Sequence, residues 1–240
     1  MNAHGRNLST TAALLVSGLL LTLAAAPAQA QMEEDLIPRD RSFVSPEHLA
    51  LELRLGPYEP QMGGEAFDTF FDDDSGPLMA LELDVIAFRL PDIVYLLGGG
   101  GIGWMQFDGK AVDSAGEETS EDTELEIVPL NLLAVARVDV LARKLGIPFL
   151  LTGKIGYQWA SWSTKTGSSP EKSGWSVGLL WALQVALDLD FFEPSAARTM
   201  DEEWGVNHSF LFFELFGFEP SGDSLEIGDT TWSMGLGFMI

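Results

Sequence analysis

The feature that most constrains the fold is a two-residue alternation of apolar side chains. The stretch TTWSMGLGFMI (230–240) sets Trp232, Met234, Leu236, Phe238 and Ile240 against residues that are Ser or Gly, except for Met239. A period of two places one set on each face of a β-strand. Strand-like runs occupy 48–56, 78–89, 93–107, 125–140, 148–162, 174–188, 208–218 and 230–240, eight in all. In the fifth, Phe149, Leu151, Ile155, Tyr157 and Trp159 alternate with Thr152, Lys154, Gly156 and Gln158. The third is apolar or Gly on both faces, which leaves its orientation unassigned. Pro129 inside the fourth predicts a bulge or a strand that starts later.

Apolar residues make up 46% of the chain, yet beyond residue 30 no apolar segment is long enough to cross a bilayer as a helix. Strands of about 9 to 11 residues suffice to cross if the sheet closes and satisfies its own backbone groups. The expected fold is therefore all-β, an eight-stranded antiparallel up-and-down transmembrane β-barrel. Residues 1–30 read as a secretory signal peptide, with Arg6, an apolar run from Ala12 to Ala26 and the small-residue site Ala28-Gln29-Ala30. Residues 31–46 read as a periplasmic leader and 47–240 as the barrel domain. Outside the signal, 12 Lys and Arg face 36 Asp and Glu, a formal charge of −24 that excludes nucleic acid as a partner. With no Cys there is neither a disulfide framework nor a thiolate metal site.

The connections alternate between short and long, which is the asymmetry of a bacterial outer-membrane barrel with long loops outside the cell. Residues 190–205 break that rule, and Pro194 and Gly205 predict a short periplasmic helix there. Three long loops carry 17 acids and one Lys, including an acidic segment from Asp108 to Glu124. Asp72, Asp73 and Asp74 are candidates for loose divalent binding that would bridge to lipopolysaccharide phosphates; a solvated, self-repelling surface is the simpler expectation. Trp104, Trp159, Trp162, Trp175 and Trp232 fall near the long-loop ends of their strands, where an aromatic girdle would lie. The final strand carries the kind of signal that the barrel-assembly machinery reads, although Ile240 stands at the end and Phe238 carries the aromatic. A monomer among outer-membrane lipid and lipopolysaccharide is expected, with no cofactor.

The inward faces collect Glu52, Arg54, Glu82, Asp84, Arg137, Asp139, Lys154, Asp188 and Glu214. An eight-stranded barrel is just wide enough to be filled by side chains, so these charges predict a buried ion-pair network with little or no conductance. GGGGIG (98–103) contains a dinucleotide-type glycine spacing but lacks the following helix, and reads as relief of crowding in a strand. DDDSG (72–76) has Leu83 where a calcium loop needs its last Glu. His208, Ser209 and Glu214 carry the residue types of a hydrolase trio; adjacent strand residues diverge, however, and Glu214 lies too far along the strand. Two alternatives accompany the structural or interaction role: an outer-membrane lipid-modifying enzyme, and a soluble periplasmic lipocalin-like ligand-binding barrel with its faces reversed. The sparse charge on the polar faces argues against the second.

From Leu125 to Leu215 the sequence resembles a family of small predicted outer-membrane β-barrel proteins known mainly from myxobacteria. The resemblance is carried by Pro129-Leu130, Arg137, Ile147-Pro148, Lys154, Gly174-Trp175, Leu187-Asp188, Glu193-Pro194, Ala196-Ala197-Arg198, Asn207-His208 and Glu214. It implies the barrel fold and an outer-membrane location, carries no activity, and marks Asn207, His208 and Glu214 as positions of interest without roles.

Overall fold

The computed structural model describes residues 46–60, 71, 75–90, 93–112, 118–221 and 227–240. The expected signal peptide, nearly all of the leader and the Asp72, Asp73 and Asp74 cluster lie outside them. The strands are β1 (Leu49–Tyr58), β2 (Gly76–Leu90), β3 (Val94–Val112), β4 (Glu118–Val138), β5 (Phe149–Thr166), β6 (Lys172–Asp188), β7 (His208–Ser221) and β8 (Asp229–Met239). Each pairs antiparallel with its sequence neighbours, and β8 pairs with β1 to close an eight-stranded barrel. At the seam the Ile240 carbonyl accepts from the amides of His48 and Leu49, and Ile240 N–H donates to Leu49. Every strand therefore has two partners and no edge is left open.

Alternation decides which side each residue takes. On β1 Glu52 and Arg54 point inward; on β7 Phe210, Phe212, Glu214, Phe216 and Phe218 do so. β3, unassigned from sequence, turns Tyr95, Leu97, Met105 and Phe107 inward. It runs on to Val112 as strand, so the glycine run opens no helix. Gly99 is needed for space: a Cβ there would stand 1.7 Å from Asp84 Oδ1.

Three features differ from expectation. The segment 108–124 is not simply a loop, because β3 and β4 stay paired from Asp108 opposite Glu124 to Lys110 opposite Asp122. Polar side chains on both faces hid these strand extensions, while the Lys110–Asp122 ion pair and the Gln106 to Glu124 hydrogen bond tie them across the ladder. Pro129 causes neither a bulge nor a late start. The β3–β4 register passes from Ile102 opposite Leu130 to Met105 opposite Ile127 without slipping, and the ladder lapses between them, where Pro129 lacks an N–H. Register shifts lie instead between Ile86 and Phe88 on β2 and between Lys110 and Val112 on β3, and the first rotates Arg89 onto the same face as Tyr95.

Two helices occupy the short-turn rim. α1 (Val140–Leu145) is a turn and a half of helix where the sequence predicts a plain short connection. α2 (Pro194–Trp204) is the expected helix, entered at Pro194 and left through Gly205 at φ 68°. That left-handed residue lets Val206 N–H reach back to the Met200 carbonyl, a closure only Gly makes without strain.

The lumen is filled. Toward the long-hairpin rim Tyr58, Phe107, Leu125, Ile127 and Phe216 pack together, with Tyr58 stacked on Phe216 and its hydroxyl donating to Ile227 at 2.6 Å. Beneath them a cavity of about 30 Å³ between Arg54, Asn131 and Gln158 has room for roughly one or two waters.

Candidate functional site

The middle of the lumen holds an ion-pair ladder. Lys154 Nζ, from β5, sits 2.6 Å from Glu52, 2.7 Å from Glu82 and 2.9 Å from Glu214. Arg54 pairs with Glu82 at 2.6 Å and Glu214 at 3.0 Å, and Arg137 with Glu52 at 2.5 Å. Gln184 donates to Glu52 at 3.0 Å, and the Arg137 guanidinium lies 4.6 Å over the Phe210 ring. All six charged groups are at least nine-tenths buried, so each charge depends on its partners. Asp84 is also fully buried, with one oxygen within 4.8 Å of ligand atoms on Glu52 and Glu82.

The remaining two inner-face residues lie at the short-turn ends of their strands. Asp139 is the residue preceding α1. Asp188 is half-buried at the rim, where its Oδ1 accepts from Asp190 N–H.

A second cluster caps the short-turn end. His208 Nδ1 faces Asp190 Oδ2 at 2.5 Å and its Nε2 faces Glu47 Oε1 at 3.2 Å. Tyr95 donates to Glu47 at 2.8 Å and Arg89 pairs with it at 3.2 Å. Ser209 gives both its N–H and its hydroxyl to Asp190. Glu47, Tyr95 and Asp190 were missed in the sequence because they lie outside the alternating polar faces; Glu47 and Asp190 flank strands rather than lie within them.

Burial alone would raise the Glu47 carboxyl. Hydrogen bonds from His208 and Tyr95 and the charges of His208 and Arg89 outweigh it and hold the group at about 2, below its usual 4.5. A depressed carboxylate adds stability above pH 4.5 that is lost as pH falls toward 2. The thermal midpoint should drop across that window, and Glu47→Gln should flatten the drop while lowering the plateau.

Chemistry at this cluster is limited by how its groups are used. The hydrolase trio does not assemble: Ser209 bonds Asp190 rather than His208, and Glu214 is held by Arg54 and Lys154 in the ladder. Asp188, Asp190 and His208 bring potential metal-ligand atoms within 4.8 Å of one another, but the contacts above already engage all three. The five tryptophans do not share a face. Trp159, Trp175 and Trp232 are exposed on the outside, and Trp104 is half-buried with its Nε1 on Glu126. Trp162 packs against the interior cluster beside Gly174, so it leaves the expected girdle.

The outer face is apolar from strand to strand. Leu53 stands opposite Leu81, Leu81 opposite Ile102, Ile102 opposite Leu130 and Leu130 opposite Trp159. In the other direction Leu53 stands opposite Leu236, Leu236 opposite Leu211 and Leu211 opposite Leu187. Charge inside and hydrocarbon outside reverse the arrangement of a water-soluble barrel, and a band of this extent far exceeds the apolar patch of a soluble monomer.

No protein-family model matches the chain, and no curated protein matches it in sequence. Among solved structures it is similar to Ail, the attachment invasion locus protein of Yersinia pestis, in complex with the heparin analogue sucrose octasulfate. That alignment has 8% identity and a TM-score of 0.46 over 81% of this chain and 97% of Ail. It is also similar to Neisserial surface protein A, NspA, at 8% identity and a TM-score of 0.43 over 81% and 97% of the two chains. The Yersinia pestis outer membrane protein Ail in a phospholipid bilayer nanodisc aligns at 12% identity and a TM-score of 0.34, over 81% and 100%.

Proposed function

We propose that the protein is an integral outer-membrane barrel of a Gram-negative bacterium, with a structural or interaction role exercised through its acidic long-hairpin rim. The observation that carries this reading is the reversed polarity, an apolar outer band around a charged, filled lumen. Residues 1–30 act as the export signal, the leader and α2 stay in the periplasm, and the C-terminal strand addresses the barrel-assembly machinery. The barrel is a monomer among lipid and lipopolysaccharide, with Trp104, Trp159, Trp175 and Trp232 at the outer interface, and it carries no catalytic centre. Membership of the myxobacterial-type family belongs to the same reading and rests on the residues named for it.

The test is a gel of the detergent-extracted outer-membrane fraction, unboiled and boiled. Closed membrane barrels resist detergent until heated, so the expected result is a faster band that shifts on boiling. Recovery from the soluble periplasmic fraction with no shift would overturn the reading.

A further inference from the structure

The short-turn rim carries apolar side chains that neither the barrel core nor the strand register requires. Leu145, Phe191, Phe192 and Trp204 are between 57% and 64% exposed, and Phe88 and Ile147 are exposed beside them. Leu145 and Ile147 come from the β4–β5 connection, Phe191, Phe192 and Trp204 from the β6–β7 connection, and Phe88 from the end of β2. Their position continues the outer band: Phe149 stands opposite Leu187, and Leu187 opposite Leu211, so the apolar surface runs off the strand ends onto the rim.

α2 adds a second, independent observation. Successive residues are spaced about 100° apart on a helix, which puts Ala196, Ala197, Met200 and Trp204 on one face and Arg198, Glu202, Ser195 and Thr199 on the other. Yet no residue of this 11-residue helix is buried. A helix this short is marginal in water and draws its stability from whatever covers its apolar face. The barrel supplies that cover only in part: Ala197 and Met200 are half-buried, while Ala196 and Trp204 are exposed.

We propose that the short-turn rim is an interfacial foot: α2 lies flat in the headgroup layer of the periplasmic phospholipid leaflet, with Phe191, Phe192 and Trp204 reaching the acyl boundary. This rests on the outer-membrane reading above. Lipid is the occupant because the patch is continuous with the outer band. The exposed aromatic side chains also fit, because Trp and other large apolar groups are favoured at the membrane interface. The foot would fix how deep the barrel sits and prevent the short turns from lifting into water.

The absence of Cys makes single-site labelling direct. Nitroxides are placed on full-length exported protein in phosphatidylethanolamine and phosphatidylglycerol vesicles at Phe192→Cys and Trp204→Cys. Leu183→Cys on the outer band and Ser169→Cys in the β5–β6 turn serve as references. Collision with oxygen, which concentrates in lipid, is compared with collision with a water-soluble nickel chelate. Labels at 192 and 204 should favour oxygen several-fold, as 183 does and 169 does not. If 183 favours oxygen while 192 and 204 favour the chelate, the foot is wrong and the membrane barrel stands. If 192 and 204 are shielded from both reagents, protein covers the patch and the proposal also fails. A chelate-accessible 183 would sink the barrel reading itself.

Discussion

Replacing Lys154 by Met should be the most damaging single change in the lumen. The ammonium is shared by Glu52, Glu82 and Glu214 at 2.6 to 2.9 Å, and removing it leaves three buried carboxylates facing two guanidinium groups. Breaking a buried pair from one side costs about 3–5 kcal/mol, a large part of the roughly 5–15 kcal/mol that holds a typical domain together. The cost comes from stranded charge rather than from lost volume, since Met fills similar space. Lys154→Met should therefore lower the unfolding temperature sharply or abolish the compact unboiled band. Adding Glu82→Gln should recover much of the loss, because it removes a stranded charge and keeps a hydrogen-bonding side chain. An unchanged melting temperature in Lys154→Met, or no rescue by the second change, would show that the ladder does not carry stability.

The second large effect is on the outside. Leu132, 63% exposed near the middle of β4, makes few packing contacts within the barrel. In water Leu132→Arg would be almost neutral. In a bilayer it places a charge on the lipid face, which costs about 2–4 kcal/mol near the midplane and much less at the interface. Stability measured in vesicles should fall for Leu132→Arg but hardly change for Ser169→Arg in the β5–β6 turn. Equal stability of the two variants would mean that the band faces water.

Those two residues also show how far the sequence could be read. Lys154 and Leu132 fall on opposite faces by alternation alone, because polar residues such as Thr152, Lys154 and Gln158 recur at even spacing and fix the phase of the strand. β3 resisted for the converse reason: its Gly and apolar residues offer no phase, and its orientation follows from Asp84 needing the space at Gly99. The hairpin extensions of β3 and β4 escaped notice because both of their faces are polar, which removes the contrast that marks a strand. α2 was legible from Pro194 and Gly205, whereas α1, six residues long, is too short for a helical period to repeat. The clamp around His208 was half visible. The His belongs to a strand, but Glu47 and Asp190 come from flanking segments, and only the folded chain shows that they meet it.

The ladder has a mechanical meaning as well as an electrostatic one. Hydrogen bonds between neighbouring strands set the circumference of the barrel, yet a hoop of fixed circumference can still flatten into an ellipse. Lys154 on β5 is bound to groups on β1, β2 and β7, none of which adjoins β5 in the sheet, and Arg137 on β4 reaches across to β1. These links are spokes. They stretch or crush when the cross-section leaves round, so the barrel should keep its shape under lateral pressure that the sheet alone would not resist.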